Sequence, residues 1–226
     1  MEEKRKKPGI LALIVVVLCL VPVVYIGRGY YHGAKTIHQL LTDNKQLKQS
    51  ITNLTHEEQI GYAKVISQET INNKLLTTIK FVETARDDKL KTILEKEYTI
   101  EGDIIHFDAL IVKFGNKMVM DGKSRALYLW RRVYGEKMAP DDGFLIEQPG
   151  IEPQRYKDLL KALPIEHNQM FWTNIWELAN DQEKLKQYGI EAVYGTVVYT
   201  KLRKGLIYVF TISPTGQVTP GTIPDM

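Results

Sequence analysis

The sequence predicts an α+β fold class: an N-terminal transmembrane helix and a coiled-coil stalk, then a mostly antiparallel β-sheet domain with a helical insertion. Three observations predict it. An uncharged apolar run lies near the start, a heptad of isoleucine and leucine follows, and the remainder reads as strands, then helices, then strands. With 226 residues, 44% hydrophobic and 25% charged, the chain has enough apolar material for a core, which excludes wholesale disorder.

The apolar run is Ile10 to Ile26, ILALIVVVLCLVPVVYI, without a single charge. At the helical rise it spans about 26 Å, and Gly9 and Gly27 extend it to about 28 Å, close to the thickness of a bilayer core. Tyr25, Tyr30 and Tyr31 fall where aromatic rings settle at the headgroups. A cleaved signal peptide shares the basic start and apolar stretch, but no small-residue cleavage pattern follows this one. Lys4, Arg5, Lys6 and Lys7 precede the run and only Arg28 closely follows it, which places the N-terminus in the cytoplasm. The expected layout is a cytoplasmic tail over 1–8, a lipid-contacting anchor over 9–27, a stalk over 28–76 and a domain over 77–226, periplasmic or extracellular.

The stalk is read from Ile37, Leu40, Asn44, Leu47, Ile51 and Leu54, spaced alternately by three and four residues. Ile37, Asn44 and Ile51 take a positions and the leucines take d positions. Isoleucine at a with leucine at d favours a parallel two-stranded coiled coil, and an asparagine at a fixes its register. The partner is a second copy or a similar helix from another chain. Continuing the frame gives Glu58, Gly61, Val65, Gln68, Asn72 and Leu75, so the seam fades near Gly61.

From Thr77 the alternation changes to period two. Strands are expected over 77–84, 98–101, 104–114, 117–120 and 125–134, with hairpin turns at Gly115-Asn116 and Asp121-Gly122. After a Pro/Gly loop, Pro153 opens a helix bearing Tyr156, Leu159, Leu160 and Leu163, and Phe171, Ile175 and Leu178 line a second. Asn180 with Glu183 reads as a capping box for a third, stopped at Gly189. The last strands, 192–202 and 206–212, read as a hairpin across Arg203-Lys204-Gly205, and the Pro/Gly-rich tail runs extended.

Chemistry is thinly marked. From Arg28 onward 26 basic residues face 25 acidic ones, which argues against nucleic acid as a partner. The one cysteine, Cys19, excludes an intramolecular disulfide and a multi-cysteine zinc site. There is no G-x-S-x-G turn, phosphate-cradling glycine loop or H-E-x-x-H pair, and no cofactor is expected. His106 and Asp108, two apart on a strand, share a face and are weak acid–base candidates, as is His167 beside Glu166. Asp141 and Asp142 are weak metal candidates without the ligand spacing of an EF-hand loop. Trp130 and Arg132 fall on one face of their strand with Tyr128 and Tyr134, and arginine and aromatic residues are enriched in interaction hot spots.

The leading expectation is a non-enzymatic membrane-anchored scaffold or adaptor, presenting its domain to other envelope proteins. The layout of tail, helix, coiled coil and domain is similar to that of divisome, pilus-alignment and secretion components. Two alternatives are a membrane-anchored envelope hydrolase using His106, Asp108, Asp141, Asp142 and His167, and a small-ligand or glycan-binding module. The first requires those residues to converge in one concavity. The second requires an open pocket lined by Trp130, Trp172 or Trp176.

Overall fold

The computed structural model describes Gly9, Leu18, Pro22, Tyr25 and residues 39–156, 172–175, 181–187 and 189–225. Most of the expected anchor, Ile37 at the head of the stalk, His167 and Trp176 lie outside the described residues. Among the described residues no helix is long and apolar enough to cross a membrane. The chain divides into two compact units, Met1–Gln49 and Ser50–Met226.

Residues 39–55 are helical (α1), and in the first unit Leu40, Leu41 and Leu47 stand exposed on it. The helix does not continue to residue 76 as the heptad suggested. It ends at residue 55 and strand β1, Glu58–Ile71, starts three residues later. In β1 the buried Ala63 and Val65 alternate with half-exposed Tyr62 and Lys64, a period of two that the heptad frame had counted as a fading seam. The sheet domain therefore begins near residue 58 and not at 77. Leu54, counted as the last d position, packs against a core cluster of this second unit.

The second unit is a two-sheet sandwich with a helical layer. The remaining strands are β2 (Lys74–Thr84), β3 (Thr92–Glu101), β4 (Ile104–Phe114), β5 (Leu127–Gly135), β6 (Phe144–Leu145), β7 (Ile190–Lys201), β8 (Leu206–Ile212) and β9 (Val218–Pro224). One sheet has the order β3-β2-β1-β8-β9 and the other β6-β5-β4-β7, and every pairing is antiparallel. β1 and β2 join through Asn72 and Asn73, both at positive φ (50° and 63°), as a two-residue I′ hairpin requires. Gly61 is needed where β1 crosses β2, because a Cβ there would sit 2.6 Å from the carbonyl oxygen of Val82.

Two expected connections are corrected. Residues Asn116–Met120 form a short helix, α2, and not a strand; Met118 and Val119 donate backbone bonds to Gly115, and the Val119 side chain is buried. β7 and β8 are not a hairpin. β7 pairs with β4 while β8 pairs with β1 and β9, so the 202–205 link passes from one sheet to the other. Val198 of β7 and Tyr208 and Phe210 of β8 then contribute to the same inter-sheet core, and this burial outweighs local pairing. The tail, expected to be extended, supplies β9.

Two apolar clusters hold the unit together. Between the sheets lie Ile60, Phe81, Phe107, Trp130 and Phe210, with Trp130 edge-on to Phe81 at 5.2 Å and to Phe210 at 5.4 Å. On the outer face of the four-stranded sheet, Leu110, Val112 and Leu127 pack with Tyr156, Trp172, Ile175 and Leu185. Those last residues come from a 3₁₀ turn at Gln154–Tyr156, a helical turn at 172–175 (α3) and helix α4, Gln182–Gln187. The cap of α4 is Asp181, whose Oδ1 accepts from Lys184 N–H at 3.1 Å, one residue beyond the expected Asn180.

Candidate functional site

Of the residues that the sequence singled out, His106, Asp108, Trp130 and Arg132 lie on β4 and β5 of the four-stranded sheet. His106 and Asp108 do share a face of β4. His106 lies flat on Tyr134 of β5, with centroids 4.8 Å apart and planes 2° apart, and faces the largely exposed Tyr199 of β7 at 6.0 Å. Asp108 is buried, not solvent-facing. It lies 3.4 Å from Arg131 Nη1 and 3.9 Å from Arg132 Nε. Burial pushes its carboxyl group up, and the two guanidinium groups oppose that rise.

A β-bulge explains the double arginine contact. The β4–β5 register runs Asp108↔Arg132 and then Ala109↔Trp130, leaving Arg131 as the extra residue. The bulge also breaks the expected face of Tyr128, Trp130, Arg132 and Tyr134. Tyr128 and Trp130 point into the inter-sheet core together with Val133, while Arg132 reaches Asp108 on the other side. Trp130 is 1% exposed and is a core residue, not part of a binding surface. Arg132 holds the following loop, donating to Pro140 O at 2.6 Å and to Asp141 Oδ1 at 2.8 Å.

Arg132 thus links Asp108 with Asp141, but the Asp141 side chain is almost entirely in solvent and lines none of the described cavities of about 520, 230 and 430 Å³. His106 and Asp108 do not line them either. Among the described residues no group of three or more His, Cys, Asp or Glu is placed to hold a metal ion. Trp130 and Trp172 border a cavity of about 230 Å³, yet both rings are buried and offer no open stacking platform.

A second constellation has no local signature in the sequence. Arg155, on the 3₁₀ turn, pairs with Glu83 of β2 at 2.9 Å and with Glu147 Oε1 at 2.6 Å, and donates to Tyr128 O at 2.6 Å. Its guanidinium lies 4.4 Å from the Tyr128 ring centre and 4.7 Å from that of Tyr156. Tyr128 donates to Glu83 at 2.9 Å, and Tyr156 donates to Tyr128 O at 2.9 Å. Burial pushes Glu83 up to about 7 against the pull of Arg155, with Glu147 adding repulsion. Desolvation raises the Tyr128 hydroxyl well above its ordinary value.

Beside this cluster lies a polar cavity of about 430 Å³, with Arg86, Lys91, Arg125 and Gln154 among its lining residues and Tyr128, Arg155 and Tyr156 beneath them. Glu58 accepts from both Arg86 and Arg125, joining two guanidinium groups through one carboxylate.

The strand edges form the remaining candidate surface. β3 carries Glu95, Lys96, Glu97 and Glu101, β9 carries Pro220 and Pro224, and β6 is two residues long. Each device blunts an edge. β7 is twelve residues long, pairs on one side only among the described residues, and has neither charge nor proline from Ala192 to Thr200. Tyr199 is 70% exposed and Val197 46%. Alternation had identified β7 as a strand, but its edge position follows from the separation of β7 and β8 into different sheets. Comparison of the chain with protein-family models, curated proteins and solved structures finds no match in any of the three.

Proposed function

We propose that this chain is a non-enzymatic, single-pass membrane-anchored scaffold whose extracytoplasmic domain takes up an extended segment of an envelope partner along β7. The observation that carries the reading is the unguarded β7 edge in a domain whose other edges are charged, proline-bearing or very short. A free edge of that length offers main-chain donors and acceptors for strand addition, and Val197 and Tyr199 add side-chain contacts. Among the described residues His106, Asp108 and Asp141 line none of the described cavities, which favours binding over hydrolysis.

Anchoring rests on the apolar run over 9–27, and pairing of two chains rests on the exposed Leu40, Leu47 and Ile51 of α1. The test is photo-cross-linking in intact cells from a probe at Val197 or Tyr199, with Thr222 on β9 as the control. Partner adducts from the β7 positions alone are expected. Equal capture from Thr222, or none from β7, would reject strand addition.

A further inference from the structure

β7 pairs on one side only among the described residues, and its side chains are complementary to those of another β7. Its two charges, Glu191 near the start and Lys201 at the end, are equally far from Thr196 at the midpoint. Tyr194 turns to the inter-sheet side, where its hydroxyl donates to Gly216 O, and Val198 packs in the inter-sheet core. Val193 packs in the cluster on the outer face, and Tyr199 faces His106 there. On each face, then, a tyrosine and a valine stand at equal distances on either side of Thr196.

Residues directly opposite in an antiparallel ladder share a face of the sheet, and their side chains touch. Laid antiparallel on a second β7 about Thr196, the strand sets Thr196 against Thr196 of the copy. Tyr194 meets Val198, Tyr199 meets Val193 and Glu191 meets Lys201, each of these twice. Hydroxyl pairs, aromatic with β-branched pairs and opposite charges are the cross-strand combinations that stabilise such ladders. A centre on Gly195 would set Glu191 against Tyr199, and a centre on Val197 would set Lys201 against Val193. A centre between residues would oppose inner-face to outer-face side chains. Only Thr196 matches both charges.

Glu191 and Lys201 are exposed, and each is bridged on its own chain, to Lys113 at 3.1 Å and to Asp103 at 3.3 Å. A second copy extends these bridges into an alternating line of four charges at each end, so no unbalanced charge is required. Glu191 is also the extra residue of a bulge, since the β4 register passes from Ala192 to Ile190.

We infer that the occupant of the β7 edge is β7 of a second copy of this chain, joined antiparallel about Thr196. This rests on the reading of β7 as a pairing edge given above and names its partner. The joined sheet has the order β6-β5-β4-β7-β7-β4-β5-β6, and both of its remaining edges are the two-residue β6. Each chain offers one β7, so the pairing closes at two copies and does not propagate. A single strand pair is small beside the roughly 1,200–2,000 Å² of stable complexes. It therefore forms between chains already held together, as the leucines of α1 would hold them.

The experiment is thiol cross-linking of the full chain in intact cells with a short bifunctional maleimide, in a Cys19→Ser background. Thr196→Cys is expected to give a cross-linked dimer, and Thr222→Cys on β9 to give none. The register is read by co-expressing two differently tagged variants. Glu191→Cys and Lys201→Cys should join to each other, while neither should join to itself, because like positions lie about 34 Å apart in this pairing. Both residues are exposed, so this pair reads the register even where Thr196→Cys disturbs the strand. Lys201→Glu sets like charges opposite each other twice and should slow the Thr196→Cys cross-link about fivefold.

Thr196→Cys dimers without the mixed product, a mixed product no stronger than the self-joined ones, or an unchanged rate with Lys201→Glu would overturn the inference. No cross-link between copies, with capture of a different protein by the photo-probe at Val197, would overturn self-pairing and leave strand addition standing. Absence of both products would remove both readings.

Discussion

The sandwich treats its two ends differently. At the β3/β6 end, Lys96 reaches across to donate to Ile146 O at 2.7 Å and Leu145 O at 3.3 Å, and Tyr98 packs on Phe144 with centroids 5.9 Å apart. Beneath that end the Glu83–Arg155–Glu147 cluster ties β2 to the loop after β6 and to the 3₁₀ turn. At the β7/β9 end the described side-chain bonds between the sheets are neutral ones, Tyr208 Oη of β8 to Lys201 O of β7 at 2.9 Å and Tyr194 Oη of β7 to Gly216 O in the β8–β9 turn at 3.1 Å. β9 is guarded by proline, and β7 pairs on one side only among the described residues. One end spends polar side chains on closing the structure. The other leaves one side of β7 without a strand neighbour among the described residues, which is the feature the proposed strand addition would use.

The largest expected break in this contrast is at the closed end. Arg155→Ala leaves Glu83 and Glu147 without their cation and removes a ring contact, and should lower stability by about 3–5 kcal/mol in urea unfolding. Val197→Lys at the open end should shift stability by no more than about 0.5 kcal/mol in the same assay. A loss of several kcal/mol at Val197 would show that β7 is covered and not open.

The closed end should also respond to pH. Glu83 is held at about 7 by burial, well above its ordinary value of 4.5, so between these limits the folded state binds more protons than the unfolded one. Stability from this group therefore falls as pH rises from about 4.5 through about 7, then levels off. Glu83→Gln should abolish that slope, measured as unfolding midpoints from pH 4.5 to 8. A slope of equal size in the variant would assign it to other groups.

A smaller effect on the fold, though a large one on assembly, is expected from α1. Leu40→Asn with Leu47→Asn removes two exposed leucines, so the stability of the sheet unit should stay within about 0.5 kcal/mol. The mass of the full chain in micelles should drop to that of the monomer in light scattering. An unchanged mass would show that these leucines form no seam between chains. Leu54 is unsuited to this test, because it packs into the domain and its loss would report on folding.

Much of the sheet architecture was readable from periodicity. β4 and β8 run over the expected residues, and β2, β5 and β7 differ from expectation only at their ends. β1 was hidden because the heptad frame was carried on through Gly61 and Val65 as a fading seam, although Asn72-Asn73 is a hairpin signal in its own right. The candidate face on β5 failed for a different reason. A bulge at Arg131 inverts the alternation after Trp130, and a one-residue slip moves every later side chain to the opposite side.

Alternating apolar residues, turn dipeptides and composition act locally, so they determine that the chain builds an antiparallel sheet domain after an apolar and then a heptad-bearing start. Which strands share a sheet, which edge stays open, and that Glu83, Glu147 and Arg155 meet are decided by tertiary structure. Those outcomes depend on burial between residues distant in the chain. Arg155 finds Glu83 only because β2 packs in the inter-sheet core and the turn before α3 packs in the outer cluster, with Tyr128 of β5 bonded to both, and no short-range spacing encodes that encounter.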